Sequence, residues 1–182
     1  MRLPGGTVVM LGVWIALIPV LMLFLGLVSA YLVRQGLGGD WVPVKIPSLL
    51  WGNTAILLAS SGTLEISRRR MGRGEATEGW LWTSFLLAGL FLLGQLLAWR
   101  ELLATGIRPA LTPHASFFYV LTGTHAVHLL GGIVALLGVA LWPAAREWMQ
   151  ISRLTALRAA AVYWHFLAAL WVGLFLLIVL WT

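Results

Sequence analysis

Cysteine is absent, which excludes disulfides, thiolate metal sites and thiol nucleophiles. Charge is scarce. Only 10% of the 182 residues are charged, whereas a soluble globular chain carries roughly a quarter. Too few charges remain to coat a water-facing surface. Acidic groups are scarcest, with six Asp and Glu against twelve Lys and Arg. No segment offers a phosphate-cradling glycine loop, a paired-carboxylate site or a nucleophile beside a base.

What is present is apolar. Hydrophobic residues make up 60% of the chain, and the mean hydropathy is +0.94. A membrane span needs about 20 apolar residues. Five stretches qualify: Leu3 to Val33, Ile46 to Leu64, Trp80 to Trp99, Thr112 to Ala145 and Ala159 to Thr182. They predict an all-α, polytopic bundle of five transmembrane helices, over about 7–34, 47–67, 79–99, 113–144 and 157–181, as one transmembrane domain over residues 1–182. The first run is longer than a signal-peptide core, so it reads as a retained helix. Gln35 to Asp40, with Pro43 and Pro47, reads as a turn-rich loop. Arg68 to Gly74 reads as a polar turn. Thr112-Pro113 has the form of an N-cap followed by proline at the first helical position.

The net charge of +6 would suggest nucleic acid in a soluble protein. Here the basic residues lie between apolar runs, so they read as an orientation signal and nucleic acid is not expected. Arg2, Arg68, Arg69, Arg70, Arg73, Arg146, Arg153 and Arg158 fall on the N-terminal side. Arg34, Lys45, Arg100 and Arg108 fall on the other. This split places the N-terminus in the cytoplasm and, after five spans, the C-terminus outside. Trp41, Trp51, Trp80, Trp82, Trp99, Trp142, Trp148 and Trp181 lie near the expected interfaces, while Trp14, Trp164 and Trp171 lie deeper.

The five spans hold no Asp, Glu, Lys or Arg in their interiors. Pumps and proton relays place ionisable groups there, so a carboxylate-lined ion path is not expected. Glu65, at the end of the second span, stands four residues before Arg69, the spacing of a helix-end ion pair. A lipid or proton contact is its functional alternative. His125 and His128 are three apart and share a helix face. With His165 as third ligand they admit a metal reading. A haem reading needs axial ligands from two helices. The structural reading has buried, neutral imidazoles donating hydrogen bonds to a neighbouring helix, with Tyr119, Thr122 and Thr124 as partners within their own. The sequence favours it, because few polar groups surround the pair. Gly12/Ala16, Gly26/Ala30 and Gly131/Ala135, each four apart, predict close helix contacts.

Phe118-Tyr119-Val120-Leu121-Thr122-Gly123-Thr124-His125-Ala126-Val127-His128, running on to Gly131-Gly132, resembles the signature helix of subunit III of haem-copper (cytochrome c) oxidases. His114 falls where a threonine/histidine pair often precedes that helix. Val162-Tyr163-Trp164-His165-Phe166 with Trp171 resembles the family's Tyr-Trp-His-Phe segment. Gly12, Trp14, Met22, Phe24 and Ser29 to Val33 resemble its opening helix, and Trp51, Asn53, Thr54, Ser60, Ser61 and Thr63 its second. The likeness spans nearly the whole chain and fits the short, five-helix bacterial form.

The resemblance implies a multi-pass subunit of the bacterial cytoplasmic (inner) membrane with no redox centre of its own. Haem and copper are expected in partner subunits. It also implies packing on subunit I, contact with other oxidase subunits or a larger respiratory supercomplex, bound phospholipid, and support of oxygen reduction and proton uptake. His125, His128, His165, Tyr119, Trp164, Glu65 and Arg69 are the candidate packing or lipid-contact residues. Val20 and Ala168 stand where many members carry acids, so a proton-supply role for those acids does not transfer. An accessory of a quinol oxidase or nitric oxide reductase is the nearest alternative. A haem-binding anchor and a small transporter are more distant ones.

Overall fold

The computed structural model describes residues 5–109, 111–141 and 151–180. Arg2, Arg146, Trp142, Trp148 and Trp181, used above for orientation and interfaces, lie outside them, as do the end of the expected fourth helix and the last residue of the expected fifth. The described residues form five helices and no strand. They are α1 (Gly5–Gly36), α2 (Leu49–Gly72), α3 (Glu78–Ala104), α4 (Pro113–Ala140) and α5 (Arg153–Leu180). Helix is forced wherever the chain is apolar, because lipid offers no partner for a free peptide group.

The helix ends follow local chemistry. Thr112 caps α4, its hydroxyl accepting from the Ala115 amide at 3.1 Å, with Pro113 at the first helical position. The loop after α1 folds back on Arg34, whose Nη2 donates to both carboxylate oxygens of Asp40 at 2.7 and 2.6 Å. Past α3, Gly106 takes φ +85°, a conformation that disfavours a side chain.

Among the described residues, four helices are long and apolar enough to cross a membrane: α1, α3, α4 and α5. The expected second span, α2, is not among them, although its 24 residues run roughly 36 Å. Its polar side chains explain the difference, since they find partners inside the bundle. Asn53 Nδ2 donates to the Phe91 carbonyl at 3.0 Å and Ser60 Oγ to the Ser84 carbonyl at 2.9 Å, both on α3. Thr63 and Ser84 share a hydroxyl contact at 2.8 Å. Thr54 Oγ1 accepts from Trp171 Nε1 of α5 at 3.0 Å. Such bonds act as glue where apolar contact alone distinguishes helix from lipid poorly.

The core lies among α2, α3, α4 and α5, around Leu57, Phe91, Leu129, Trp164, Leu167 and Trp171. By contrast, α1 packs chiefly on α4 and α5, through a narrow seam of Leu17, Phe24 and Tyr31. Trp14 is exposed, whereas Trp164 and Trp171 are buried.

Two of the expected small-residue contacts are absent. Gly12, Ala16, Gly26 and Ala30 are exposed, and a Cβ on either glycine would meet nothing within 4 Å. Gly131 meets only Tyr163 Oη at 3.7 Å. Close approach occurs instead at Gly94, under the Asn53 amide, and at Gly132, under the Trp164 ring. Spacing alone does not say which face of a helix meets a neighbour.

Candidate functional site

The signature residues of α4 and α5 meet in an aromatic layer of the core. His125 is fully buried and tilted over Trp171, with ring centroids 5.0 Å apart at 31°. Phe91 of α3 and Phe24 of α1 present edges to it at 6.2 and 6.4 Å. Trp171 in turn takes the Phe91 ring edge at 5.1 Å and holds α2 through Thr54. One histidine is therefore enclosed by side chains of three other helices.

Among the described residues, neither histidine of the pair makes the expected hydrogen bond to a neighbouring helix. Neither ring nitrogen of His125 has a partner among the described residues. His128 is half-buried, and its Nδ1 lies 2.8 Å from the Thr124 carbonyl of its own helix. Its ring faces the Phe24 edge at 5.5 Å. The reason is that the surrounding faces of α1, α3 and α5 present aromatic rings at this level. The bond that crosses between helices runs the other way, from Tyr163 Oη of α5 to the His128 carbonyl at 3.1 Å.

The structure does not bring His165 to the pair. It turns toward α2, its Nδ1 2.6 Å from Ser61 Oγ and its Nε2 3.5 Å from Glu65 Oε2. Among the described residues, no three His, Asp or Glu side chains converge as metal ligands do. Glu65 is the hub of this second cluster. It accepts from Arg69 Nε at 2.7 Å, the i,i+4 pair, and from Arg68 Nε and Nη2 at 2.7 and 2.6 Å. The result is a fork of two guanidiniums, one carboxylate and one imidazole at the last turns of α2, beside α5.

Tyr119 Oη donates to the Ile107 carbonyl at 3.0 Å, tying α4 to the loop before it. Trp164 is fully buried over Gly132, its indole nitrogen without a partner in the described chain. Thr122 receives Trp99 Nε1 of α3 at 3.1 Å and itself donates to the Phe118 carbonyl. Ala168 is buried in the core, and Val20 packs against the Phe24–Tyr31–Leu121–Leu174 cluster. Both positions are thus apolar contacts here. Sequence reasoning passed over Gln95, fully buried in α3 with both amide atoms unpartnered among the described residues. A lone amide within an apolar run was the available signal.

Beside α1 lies an apolar groove of about 410 Å³ between α1, α4 and α5, lined by Val13, Ala16, Gly131, Ala135, Ala160 and Tyr163 among others. It opens at the level of the N-terminal half of α1.

Comparison with known proteins agrees with these motifs. The family model described as cytochrome c oxidase subunit III matches residues 6–182. A cytochrome c oxidase subunit 3 from Thermostichus vulcanus is 30% identical, over 94% of this chain and 87% of the relative. One from Synechocystis is 34% identical, over 94% and 75%. A cytochrome bo(3) ubiquinol oxidase subunit 3 from Pseudomonas putida is 27% identical, over 97% and 87%. With a match that runs almost from end to end, on a multi-pass helical bundle with His125 in its packed core, the chain belongs to the cytochrome c oxidase subunit III family.

Proposed function

We propose that this chain is the non-catalytic subunit III of a respiratory cytochrome c oxidase in a bacterial cytoplasmic membrane. It packs on the haem- and copper-bearing subunit I, contacts other oxidase subunits, retains phospholipid, and supports oxygen reduction and proton uptake in aerobic electron transport. The carrying observation is the family match over residues 6–182. The placement of the histidines supports a role without a redox centre in this chain. His125 is enclosed by aromatic rings, and His165 is turned away toward Ser61 and Glu65.

Lipid retention is supported by two features. The groove beside α1 is lined almost wholly by apolar side chains and its 410 Å³ suits an acyl chain. The Glu65–Arg68–Arg69–His165 cluster offers donors to a phosphate. The charge split of the sequence supports a cytoplasmic N-terminus.

Purification of the chain from its native membrane in mild detergent tests the reading. A haem–copper subunit I should come with it, and phospholipid should remain bound after delipidating washes. Recovery without any haem–copper partner refutes it. A second reading, subunit III of a quinol oxidase, is favoured by the Pseudomonas putida relative. Turnover of the purified complex on reduced cytochrome c against ubiquinol separates the two.

A further inference from the structure

At the end of the bundle formed by the α1–α2 loop, four rings pack together: Tyr31 of α1, Trp41 of the loop, and His114 and Phe117 of α4. Tyr31 stands 5.0 Å from Trp41 and 5.9 Å from His114, and Trp41 stands 5.1 Å from His114, between ring centroids. Tyr31 and His114 are fully buried. Each of the three bears a buried polar atom with no partner among the described residues: Tyr31 Oη, Trp41 Nε1 and His114 Nε2.

The protonation of His114 is fixed by the backbone. Val44 donates its amide to His114 Nδ1 at 2.7 Å, so Nδ1 carries a lone pair and not a proton. The proton of the neutral ring is then on Nε2. The cluster consequently presents two N–H donors, from Trp41 and His114, and one hydroxyl that can both accept and donate. Two groups bonded to the same oxygen at about 2.9 Å stand at most about 5.8 Å apart. The rings that bear the three atoms are in mutual contact, with centroids 5.0–5.9 Å apart.

We propose that Tyr31, Trp41 and His114 form a binding site for one ordered water molecule that clamps the α1–α2 loop onto α1 and α4. The water accepts from Trp41 Nε1 and His114 Nε2 and donates to Tyr31 Oη, which meets all three unpartnered atoms. Buried water of this kind makes about three hydrogen bonds to groups otherwise unsatisfied. An anion fits less well. Arg34 is already committed to Asp40, and Lys45 is exposed, so no buried cation offsets a buried negative charge here. The clamp complements the Val44–His114 bond: one nitrogen of the imidazole holds the loop backbone, and the other holds the water.

The test is a structure of the assembled complex at a resolution that shows ordered water, with ¹⁵N spectra of the labelled histidines. The expected result is a single peak within hydrogen-bond distance of all three atoms, with His114 protonated on Nε2 alone. A neighbouring subunit's side chain or carbonyl, a lipid oxygen or an exchangeable halide on those atoms overturns the proposal. So does direct pairing of the three groups, or a proton on Nδ1. Tyr31→Phe keeps the ring packing and removes only the hydroxyl. It should abolish the peak and speed exchange of the Val44 amide about five-fold, the equivalent of one net hydrogen bond. If both are unchanged in Tyr31→Phe, the hydroxyl holds nothing and the clamp is wrong.

Discussion

Adjacent glycines in α4 make opposite predictions. A Cβ on Gly132 would lie 2.9 Å from Trp164 Cε3, 3.0 Å from Cζ3 and 3.3 Å from Tyr163 Cε1. Carbon atoms prefer about 3.5–4.0 Å, so one ring must move by roughly half an ångström or more. Trp164 is fully buried and cannot swing into lipid. Gly132→Ala therefore overpacks the α4–α5 contact, at about 1–3 kcal/mol. A Cβ on Gly131 meets only Tyr163 Oη at 3.7 Å, an ordinary contact. Both variants share the helix-propensity gain of alanine over glycine, up to about 1 kcal/mol. That gain cancels in the difference between them. Gly132→Ala should be less stable than Gly131→Ala by about 1–3 kcal/mol, or about five- to 140-fold in the folding equilibrium. Denaturation of the purified proteins in mixed micelles, followed by tryptophan fluorescence, measures it. Equal midpoints for the two variants would refute the close approach of Trp164 to the α4 backbone.

Other expectations rest on separate contacts. Trp171→Phe keeps an aromatic ring over His125 but removes the bond to Thr54, and should destabilise by about 0.5–1.5 kcal/mol; Thr54→Val made on top should add little, and full additivity in a double-mutant cycle would show the bond is not formed. Ala168→Asp installs a carboxylate at a site that is 2% exposed, and should cost about 2.5–3.5 kcal/mol, read as reduced yield of assembled complex; wild-type yield would count against the apolar packing assigned to this position. The Arg34 guanidinium bonded to Asp40 holds that carboxyl below its ordinary value of 3.8. Because the folded pKa is the lower one, the pair contributes above the unfolded value and is lost as pH falls through the folded one. The ¹³C carboxyl shift of Asp40 should therefore titrate below pH 3.8, and an ordinary midpoint would show the pair open in solution.

The existence and order of the helices were legible because a lipid solvent makes apolar length nearly sufficient. The N-cap at Thr112 was legible for a local reason, a hydroxyl three residues from the amide it accepts. The weak apolarity of α2 was harder to interpret. Asn53, Thr54, Ser60 and Thr63 look out of place in a membrane until Phe91, Trp171 and Ser84 are known to stand opposite. Facing was not legible at all. Gly12 and Gly26 share the spacing of contact glycines yet lie on the open side of α1, whereas Gly132 and Gly94 carry the close approaches. Within the signature, the sequence placed His125 and His128 on one helix face. It did not reveal that a layer of rings from α1, α3 and α5 would meet them, or that His165 would belong to the Glu65 cluster instead.

The narrow seam of α1 bears on how the protein is made. Leu17, Phe24 and Tyr31 recur every seven residues, as in the seam of a two-stranded coil, and most of the rest of the helix is exposed. The helices that receive this seam, α4 and α5, leave the ribosome after α2 and α3. The first helix must therefore wait in the bilayer, held by its own apolarity, while α2 and α3 pair beside it. It docks only once α4 and α5 have emerged, so it is inserted before the other four helices and packed after them.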